Sequence, residues 1–356
     1  MDKALMWIMA ICALIGGMDR ILGNRLHLGE QFERGFMLMG PTALSMAGII
    51  CLVPLLSKLI RGSLVRICAP LGLDPAIFGG LLAIDMGGYQ LAVELAADSR
   101  VGVFSGIVIA AILGCTITFT IPVGMGMLDG EARSDFAHGL LFGLISIPVS
   151  LLAGGLLCGM ELSQVLRQSL PCLLLSALVL LGMWRKTTLM IRGFSLFARL
   201  IEIVTTLGLM LAAFEYMTGR ALLPGLAPIE DAMAVVASIA VVMLGSLPFA
   251  QLLQRALRWP LHLLGEKTRM NSASVAALLI GMVSVLPAIA LVKDMDRRGR
   301  IVNAAFMVCA ASAFAAHLGF VAGVDARWIS TLLCSKLVGG AVGVAIALFA
   351  TRRMNG

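Results

Sequence analysis

Charge is the scarcest property of this chain: Asp, Glu, Lys and Arg together make up 13% of it, about half their share in soluble globular domains. No polar stretch is long enough to fold as a separate soluble domain. Tyrosine is nearly absent too, with only two in the whole chain. The eight cysteines form no CxxC pair and all lie in or beside apolar runs. They read as small buried hydrophobes, and neither a disulfide framework nor a metal site is implied. HExxH, GxSxG, P-loop and GxGxxG patterns are missing, which removes support from an intramembrane protease, an ATP-driven pump and a nucleotide-dependent enzyme. No catalytic activity and no cofactor are therefore expected. The net charge of +7 is scattered between apolar segments and forms no basic stripe with interleaved aromatics. It reads as a topology signal, not as a nucleic-acid surface.

What is present is hydrophobicity: 60% of residues are apolar and the mean hydropathy is +0.99. Eleven apolar segments recur, at about 3–18, 35–56, 75–97, 101–128, 136–160, 169–184, 194–217, 232–253, 272–292, 301–324 and 328–350, most of them long enough to cross a bilayer. The first follows a lone Lys3 with no small-x-small cleavage site, and reads as a retained helix rather than a signal peptide. The fold expected is an all-α polytopic membrane protein.

Two segments are interrupted, the third at Asp85-Met86-Gly87-Gly88 and the ninth at Ser284-Val285-Leu286-Pro287, where proline removes a backbone donor. Interruptions at matching places in two halves point to an internally repeated transporter. The halves overlay: Pro54 falls on Pro248, Leu81-Leu82 on Leu278-Leu279, Ser99-Arg100 on Asp296-Arg297 and Thr120 on His317. The expected units are a first repeat at 1–160, a linking segment at 161–193 and a second repeat at 194–356, all within one membrane domain.

Basic residues test whether the broken segments cross. If all eleven cross, the two faces hold 13 and 12 Lys and Arg; if both broken segments are re-entrant hairpins, the faces hold 17 and 8, with Arg199 and Lys336 inside segments. The positive-inside rule favours hairpins. That arrangement has nine crossings, the N-terminus outside, the C-terminus inside and two inverted repeats. It leaves Lys58, Arg61 and Arg66 outside, expected on an interfacial amphipathic helix at 57–72.

The candidate site grows from the first break. Half-helices at about 75–84 and 89–97 would hold Asp85 near the bilayer midplane, with Gly87 and Gly88 allowing positive φ and the broken backbone leaving amides and carbonyls free. An intramembrane carboxylate costs at least about 2.5–3.5 kcal/mol on insertion scales, so function is the default reading; the alternative is an N-cap on the second half-helix. Tyr89 and Gln90 can offer a hydroxyl and an amide to a polar solute, or pack as ordinary bundle residues. Glu94 reads as interfacial before it reads as functional. In the second half, Ser284 marks the break, and His317 lies opposite Thr120, either as a solute contact and proton-sensitive group or as a satisfied core histidine. Lys336 either snorkels to an interface or neutralises a carboxylate. Arg199 and Glu202 read as a local pair, and the spacings Gly102/Gly106, Gly139/Gly143, Gly155/Gly159 and Gly339/Gly343 as close helix contacts.

These residues carry a resemblance. DRILG (19–23), QFERGFMLMG (31–40), LLAIDMGGYQLAVELA (81–96), KDMDRRGRIVNAAF (293–306), HLGF (317–320) and KLVGG (336–340) together resemble the ethanolamine permease family of bacterial ethanolamine utilization. The resemblance implies an inner-membrane protein embedded in the lipid bilayer that takes up ethanolamine for a cytosolic ammonia lyase, most needed when the outside is acidic. Ethanolamine is a small ammonium with one hydroxyl, and Asp85 with Tyr89 or Gln90 supplies matching groups. The chain departs from the family pattern where asparagines precede the second proline and an acidic residue precedes the histidine; it has Val283-Ser284-Val285-Leu286 and Ala316. A carrier of another small amine or polar solute, and a non-transporting membrane scaffold, stay as alternatives, and a homo-oligomer is open.

Overall fold

In the computed structural model, residues 2–82, 85–268 and 270–352 are described, without the side chains of Asp85, Arg258, Leu261, His262, Leu263, Leu264 and Glu266. All regular structure among the described residues is helical. The helices are α1 (Asp2–Ile21), α2 (Gly29–Met37), α3 (Met39–Cys68), α4 (Ala76–Leu82), α5 (Gly88–Leu95), α6 (Ser99–Val103), α7 (Ile121–Met127), α8 (Gly130–Leu157), α9 (Leu162–Thr218), α10 (Ile229–Thr268), α11 (Ser272–Val283), α12 (Val285–Ala290), α13 (Arg297–Ala310), α14 (Ala316–Asp325) and α15 (Ile329–Ala350). Among the described residues seven helical stretches are long and apolar enough to span a membrane. Large apolar side chains stay exposed along their outer faces: on α9, Leu162, Leu166, Leu170, Leu174 and Leu178 form one such stripe at helical spacing. An outward apolar stripe is expected where the solvent is lipid.

Small residues set the packing at the centre, where α8, α13 and α15 meet. A Cβ at Gly139 would lie 2.2 Å from the Ile301 carbonyl oxygen, and one at Gly339 would lie 2.6 Å from the Ser150 Cβ. The backbones touch there because nothing larger than hydrogen intervenes. Gly159, paired with Gly155 in the sequence reading, instead takes a left-handed turn (φ +76) after α8, where a Cβ would meet nothing within 4 Å.

α9 would be about 85 Å long if straight. It reverses at Lys186, whose φ of −142 and ψ of 55 are non-helical, and a Cβ at Gly182 would lie 2.4 Å from the Met190 sulfur. The two apolar segments read from the sequence are therefore its two arms. By contrast, no separate amphipathic helix occupies 57–72: α3 runs unbroken to Cys68, carrying Lys58, Arg61 and Arg66 as its continuation. Its apolar stretch simply keeps its helical hydrogen bonds past Pro54, so nothing in the backbone ends it there.

Both interrupted segments fold as hairpins. α4 and α5 lie side by side, close enough that a Cβ at Gly79 would sit 2.5 Å from Ala92 Cα. Their two ends are tied together by one carboxylate, Asp74, which accepts from the amides of Ala76 (2.9 Å), Ala97 (3.0 Å) and Asp98 (2.8 Å). In the second hairpin, α11 and α12, Asn271 closes the mouth: its amide donates to Asp296 Oδ1 at 2.9 Å and its side chain to the Asp294 carbonyl at 2.9 Å. Chains entering and leaving a hairpin at one end need such caps, because the half-helix termini expose unpaired amides.

The helix after each hairpin is gripped in the same manner. Ser105 donates to the Ala76 carbonyl at 2.6 Å, and Asn303 donates to the Ser274 carbonyl at 2.9 Å. Each of these following helices is then irregular midway. After α6 the backbone is π-helical over Phe104–Gly114 and Thr116–Thr120. Thr116 and Thr118 donate to the carbonyls of Ile112 (2.7 Å) and Gly114 (2.9 Å), competing with the amides that an α-helix would place there. α13 ends at Ala310, and the chain turns through 311–315 before α14 begins.

α8 measures the separation of the two mouths. At its C-terminal end Arg100 donates to the Gly159 carbonyl at 3.2 Å, and at its N-terminal end Asp135 pairs with Arg297 (3.2 Å) and Arg300 (3.4 Å). Helix rise makes α8 about 42 Å long. The hairpins open at opposite ends of it.

Candidate functional site

The tip of the first hairpin is a 3₁₀ turn, Asp85–Gly87, leading into α5. Asp85 is thus where the sequence reading puts it along the chain, at the break, while its side chain lies outside the described residues. The expected role of the glycines needs correcting. Gly87 has φ −65 and ψ −20, an ordinary helical conformation, and it is the N-cap residue of α5. What Gly88 provides is close approach, since a Cβ there would lie 3.3 Å from the Gly79 carbonyl oxygen and from Gly80 Cα. At Gly87 a Cβ would find Ile49 and Met46 of α3 at ordinary contact, 3.8–3.9 Å.

Tyr89 follows at once and leaves the hairpin toward the second half of the chain. Its ring stands edge-on to Phe320, 5.9 Å between centroids and 82° between planes, and its backbone lies against Gly106, where a Cβ would come within 2.7 Å of Tyr89 Cα. Phe320 and His317 are three apart on α14 and so share a face. His317 is buried, in the first turn of α14, and its amide donates to the Ser312 carbonyl at 3.3 Å. The sequence elements Asp-Met-Gly-Gly-Tyr and His-Leu-Gly-Phe, more than two hundred positions apart, therefore meet.

The second break lies against the same unwound strand of backbone. Ser312 donates to the Gly281 carbonyl and Phe314 to the Met282 carbonyl, each at 2.9 Å. Ser284 is half-buried and extended (φ −150, ψ 129) between α11 and α12. The segment 311–315 thus connects the end of α11 on one side to His317 on the other.

Lys336 is 1% exposed, and its ammonium donates to the Ala111 carbonyl at 2.8 Å, inside the π-helical stretch. That contradicts snorkelling: the charge is held in the core, because α15 packs directly on a helix whose widened turns offer carbonyls. Thr120 is fully buried, and its hydroxyl has no hydrogen-bond partner among the described residues. Gln90 is half-buried beside Tyr89. Glu94 is apart from all of these, exposed near the hairpin mouth, where its carbonyl accepts from Arg61. Arg199 and Glu202 are an exposed local pair at 2.9 Å.

Several polar residues that position this site were not singled out from the sequence. Asp74, Ser105, Asn303 and the Asp135–Arg297–Arg300 cluster hold the hairpins and the helices that follow them. Asp98 belongs with them: it caps α6 through the Arg100 amide and accepts from Gln164 at 3.0 Å, and its hydrogen bond from the Arg100 side chain pulls its carboxyl down to about 2. The available signal was an Asp or Asn one to three residues before an apolar run, a cap pattern. Asp19, in the first motif of the resemblance, has a similar structural duty, accepting the amides of Leu26, Leu28 and Gly29 at 2.8–2.9 Å.

Contacts thus link Tyr89, Phe320, His317 and the end of α11 at the second break, while the Lys336 ammonium is fixed separately on the Ala111 carbonyl. Among the described residues no group of His, Cys, Asp and Glu has the spacing of a metal site.

Comparison with known proteins assigns a family. The family model described as "Ethanolamine utilisation protein, EutH" matches residues 1–350. A protein of Listeria monocytogenes named probable ethanolamine permease EutH is 39% identical over 99% of this chain and 95% of its own length. The Escherichia coli protein of the same name is 34% identical over 98% of this chain and 95% of its own length. An uncharacterized Bacillus subtilis protein, YxeR, is 37% identical over 98% of this chain and 95% of its own. No solved structure matches.

Proposed function

Since the chain belongs to the EutH family of ethanolamine utilisation proteins, we propose that it is a permease carrying protonated ethanolamine inward across the bacterial inner membrane. The observation that carries this reading is the contact of Tyr89, two residues past the first hairpin's tip, with Phe320 on the helix whose first turn holds His317. Broken backbone is tolerated at membrane depth only where protein or a watery cavity surrounds it. Here the breaks converge on polar side chains in an otherwise apolar bundle. Asp85 takes the ammonium as a charge-assisted partner, and Tyr89 or Gln90 takes the hydroxyl. Neutral ethanolamine leaks through lipid and its cation does not, so the protein path gains importance as the medium becomes acidic.

The transport cycle in this reading is alternating access between two inverted repeats, 1–160 and 194–356, joined by 161–193. It is supported by hairpin mouths tied to opposite ends of α8 and by the 17 to 8 division of basic residues, which sets the N-terminus outside and the C-terminus inside. Nine crossings and two re-entrant hairpins result. A second reading has the same architecture and a different small amine as substrate. Ala316 and the stretch Val283–Leu286 favour it, because they withdraw polar groups next to His317 and Ser284.

Purified full-length protein in liposomes tests the reading directly. Labelled ethanolamine uptake should saturate, exceed that of protein-free liposomes at least tenfold at pH 5.5, and be blocked by excess unlabelled ethanolamine. Block by another amine at lower concentration selects the second reading. Uptake equal to that of empty liposomes, with the protein inserted and folded, overturns both in favour of a scaffold.

A further inference from the structure

The reversal of α9 at Lys186 creates a cavity of about 640 Å³ between its arms and the first hairpin. Leu175 lines it from the first arm, Arg192 and Phe197 from the second, Leu113 and Ile117 from the π-helical stretch, and Leu81 from α4. Apart from Arg192 these walls are hydrocarbon, and the lining arm α9 carries an exposed apolar face suited to lipid. In a bilayer such a recess fills with acyl chain, since an unfilled one forfeits dispersion contacts on every side.

The rim carries charge of one sign. Arg185, Lys186 and Arg192 are all exposed at the reversal, beside Trp184, which is 68% exposed and has the Arg185 guanidinium 5.8 Å from its ring centroid. Among the described residues no carboxylate pairs with any of the three. α9 starts beside Asp98, through Gln164, at the end of the bundle where the first hairpin opens. Its first arm then climbs about 35 Å and delivers the reversal to the opposite end, the one holding Arg297, Arg300 and most other basic residues. Basic pockets between membrane helices at the positive-rich face suit anionic lipid headgroups, and an exposed tryptophan suits the same interfacial depth.

We infer that the cavity at the Lys186 reversal is a binding site for one anionic phospholipid, with the headgroup phosphate held by Arg185, Lys186 and Arg192 and an acyl chain in the recess. The chain would lie on Leu81, Leu113 and Ile117, so its presence supports the hairpin arm and the π-helical turns from the lipid side. The inference stands whatever solute the protein carries.

Native mass spectrometry of the full chain in mild detergent, titrated with phosphatidylglycerol or phosphatidylcholine of identical chains, provides the test. The wild type should retain phosphatidylglycerol at least fivefold better than phosphatidylcholine. Arg185→Gln/Lys186→Gln/Arg192→Gln should abolish that preference. Gly193 lines the recess, and a Cβ there meets nothing within 4 Å, so Gly193→Phe fills the cavity without disturbing backbone and should lower phosphatidylglycerol retention at least fivefold with all three charges intact. Equal retention of both lipids by the wild type overturns the site. Retained preference in the triple variant overturns the headgroup assignment, and undiminished binding in Gly193→Phe overturns the recess, leaving only surface attraction.

Discussion

At the residue scale the proposed permease turns on Asp85, which opens the 3₁₀ turn at the tip of the first hairpin. The N-cap of α5 is Gly87, so the half-helix starts three residues beyond the aspartate, at Gly88. In the proposed permease Asp85 is the counter-ion of the ammonium. An ammonium at 4 Å from a carboxylate gains about 4 kcal/mol at an effective dielectric of 20, against about 1 kcal/mol in water. Losing that difference of about 3 kcal/mol should cut uptake about 100-fold. Asp85→Asn preserves size and any capping oxygen, and it should insert normally in the membrane yet show that loss at pH 5.5. Wild-type uptake by a well-inserted Asp85→Asn protein would remove Asp85 from recognition. Intramembrane polar residues were legible in the sequence because each interrupts an apolar run; Asp85, Tyr89, His317 and Lys336 all declared themselves that way. Which partner each one meets was not legible. Lys336 reaches Ala111 across more than two hundred positions, and no local pattern encodes such a contact.

At the element scale the breaks were readable and the continuations were not. Asp-Met-Gly-Gly and Ser-Val-Leu-Pro both end half-helices, because turn-forming and proline residues act locally. The basic residues after Pro54 suggested a change of element, yet α3 carries straight on. Charges there cost a helix nothing where its end reaches water. The π-helical turns after α6 were invisible for another reason: they depend on Thr116 dividing its hydroxyl between the Ile112 carbonyl and the Val308 carbonyl of α13 (2.8 Å). Helix contact distances were half legible, in that small-residue spacings marked faces without naming neighbours. The tightest approach of a glycine to a neighbouring helix's backbone gives a prediction. A Cβ at Gly48 would lie 1.8 Å from the Thr205 carbonyl oxygen, whereas one at Gly62, on the same helix, would meet nothing within 4 Å. Gly48→Ala must push α3 off α9 and should destabilise by about 1–3 kcal/mol, seen as a lowered melting temperature in detergent. Gly62→Ala is the matched control and should hold or slightly raise the melting temperature, since Ala is the better helix former at an open position; an equal loss at the two sites would mean the close contact is not what α3 depends on.

At the scale of the whole molecule, the two hairpins hang from opposite ends of one rigid helix, and this sets what can move. α8 is clasped at both ends, by Arg100 at Gly159 and by Arg297 and Arg300 at Asp135, and its middle is fused to α13 and α15 by glycine contacts. That block is the frame. Single cysteines at positions 70 and 100 should accordingly react with an impermeant maleimide from one side of the membrane, and cysteines at 268 and 298 from the other; a pair split between sides would end the hairpin topology. The first hairpin touches the opposite half of the chain through Tyr89 and Phe320, and that contact must open and close if alternating access operates. Tyr89→Cys/Phe320→Cys joined by a short bifunctional maleimide fixes it shut. Phe320 is as buried as most of the native cysteines, so burial does not separate the introduced pair from them, and the cross-link is made with a small membrane-permeant reagent in a variant whose eight native cysteines are replaced by Ala. Cross-linking should reduce ethanolamine uptake at least tenfold, while each single-cysteine variant treated alike should keep its own untreated rate. Undiminished uptake through a fully cross-linked protein would show that solute passes with this contact closed, as in a fixed pore, and the rocking cycle would have to be abandoned.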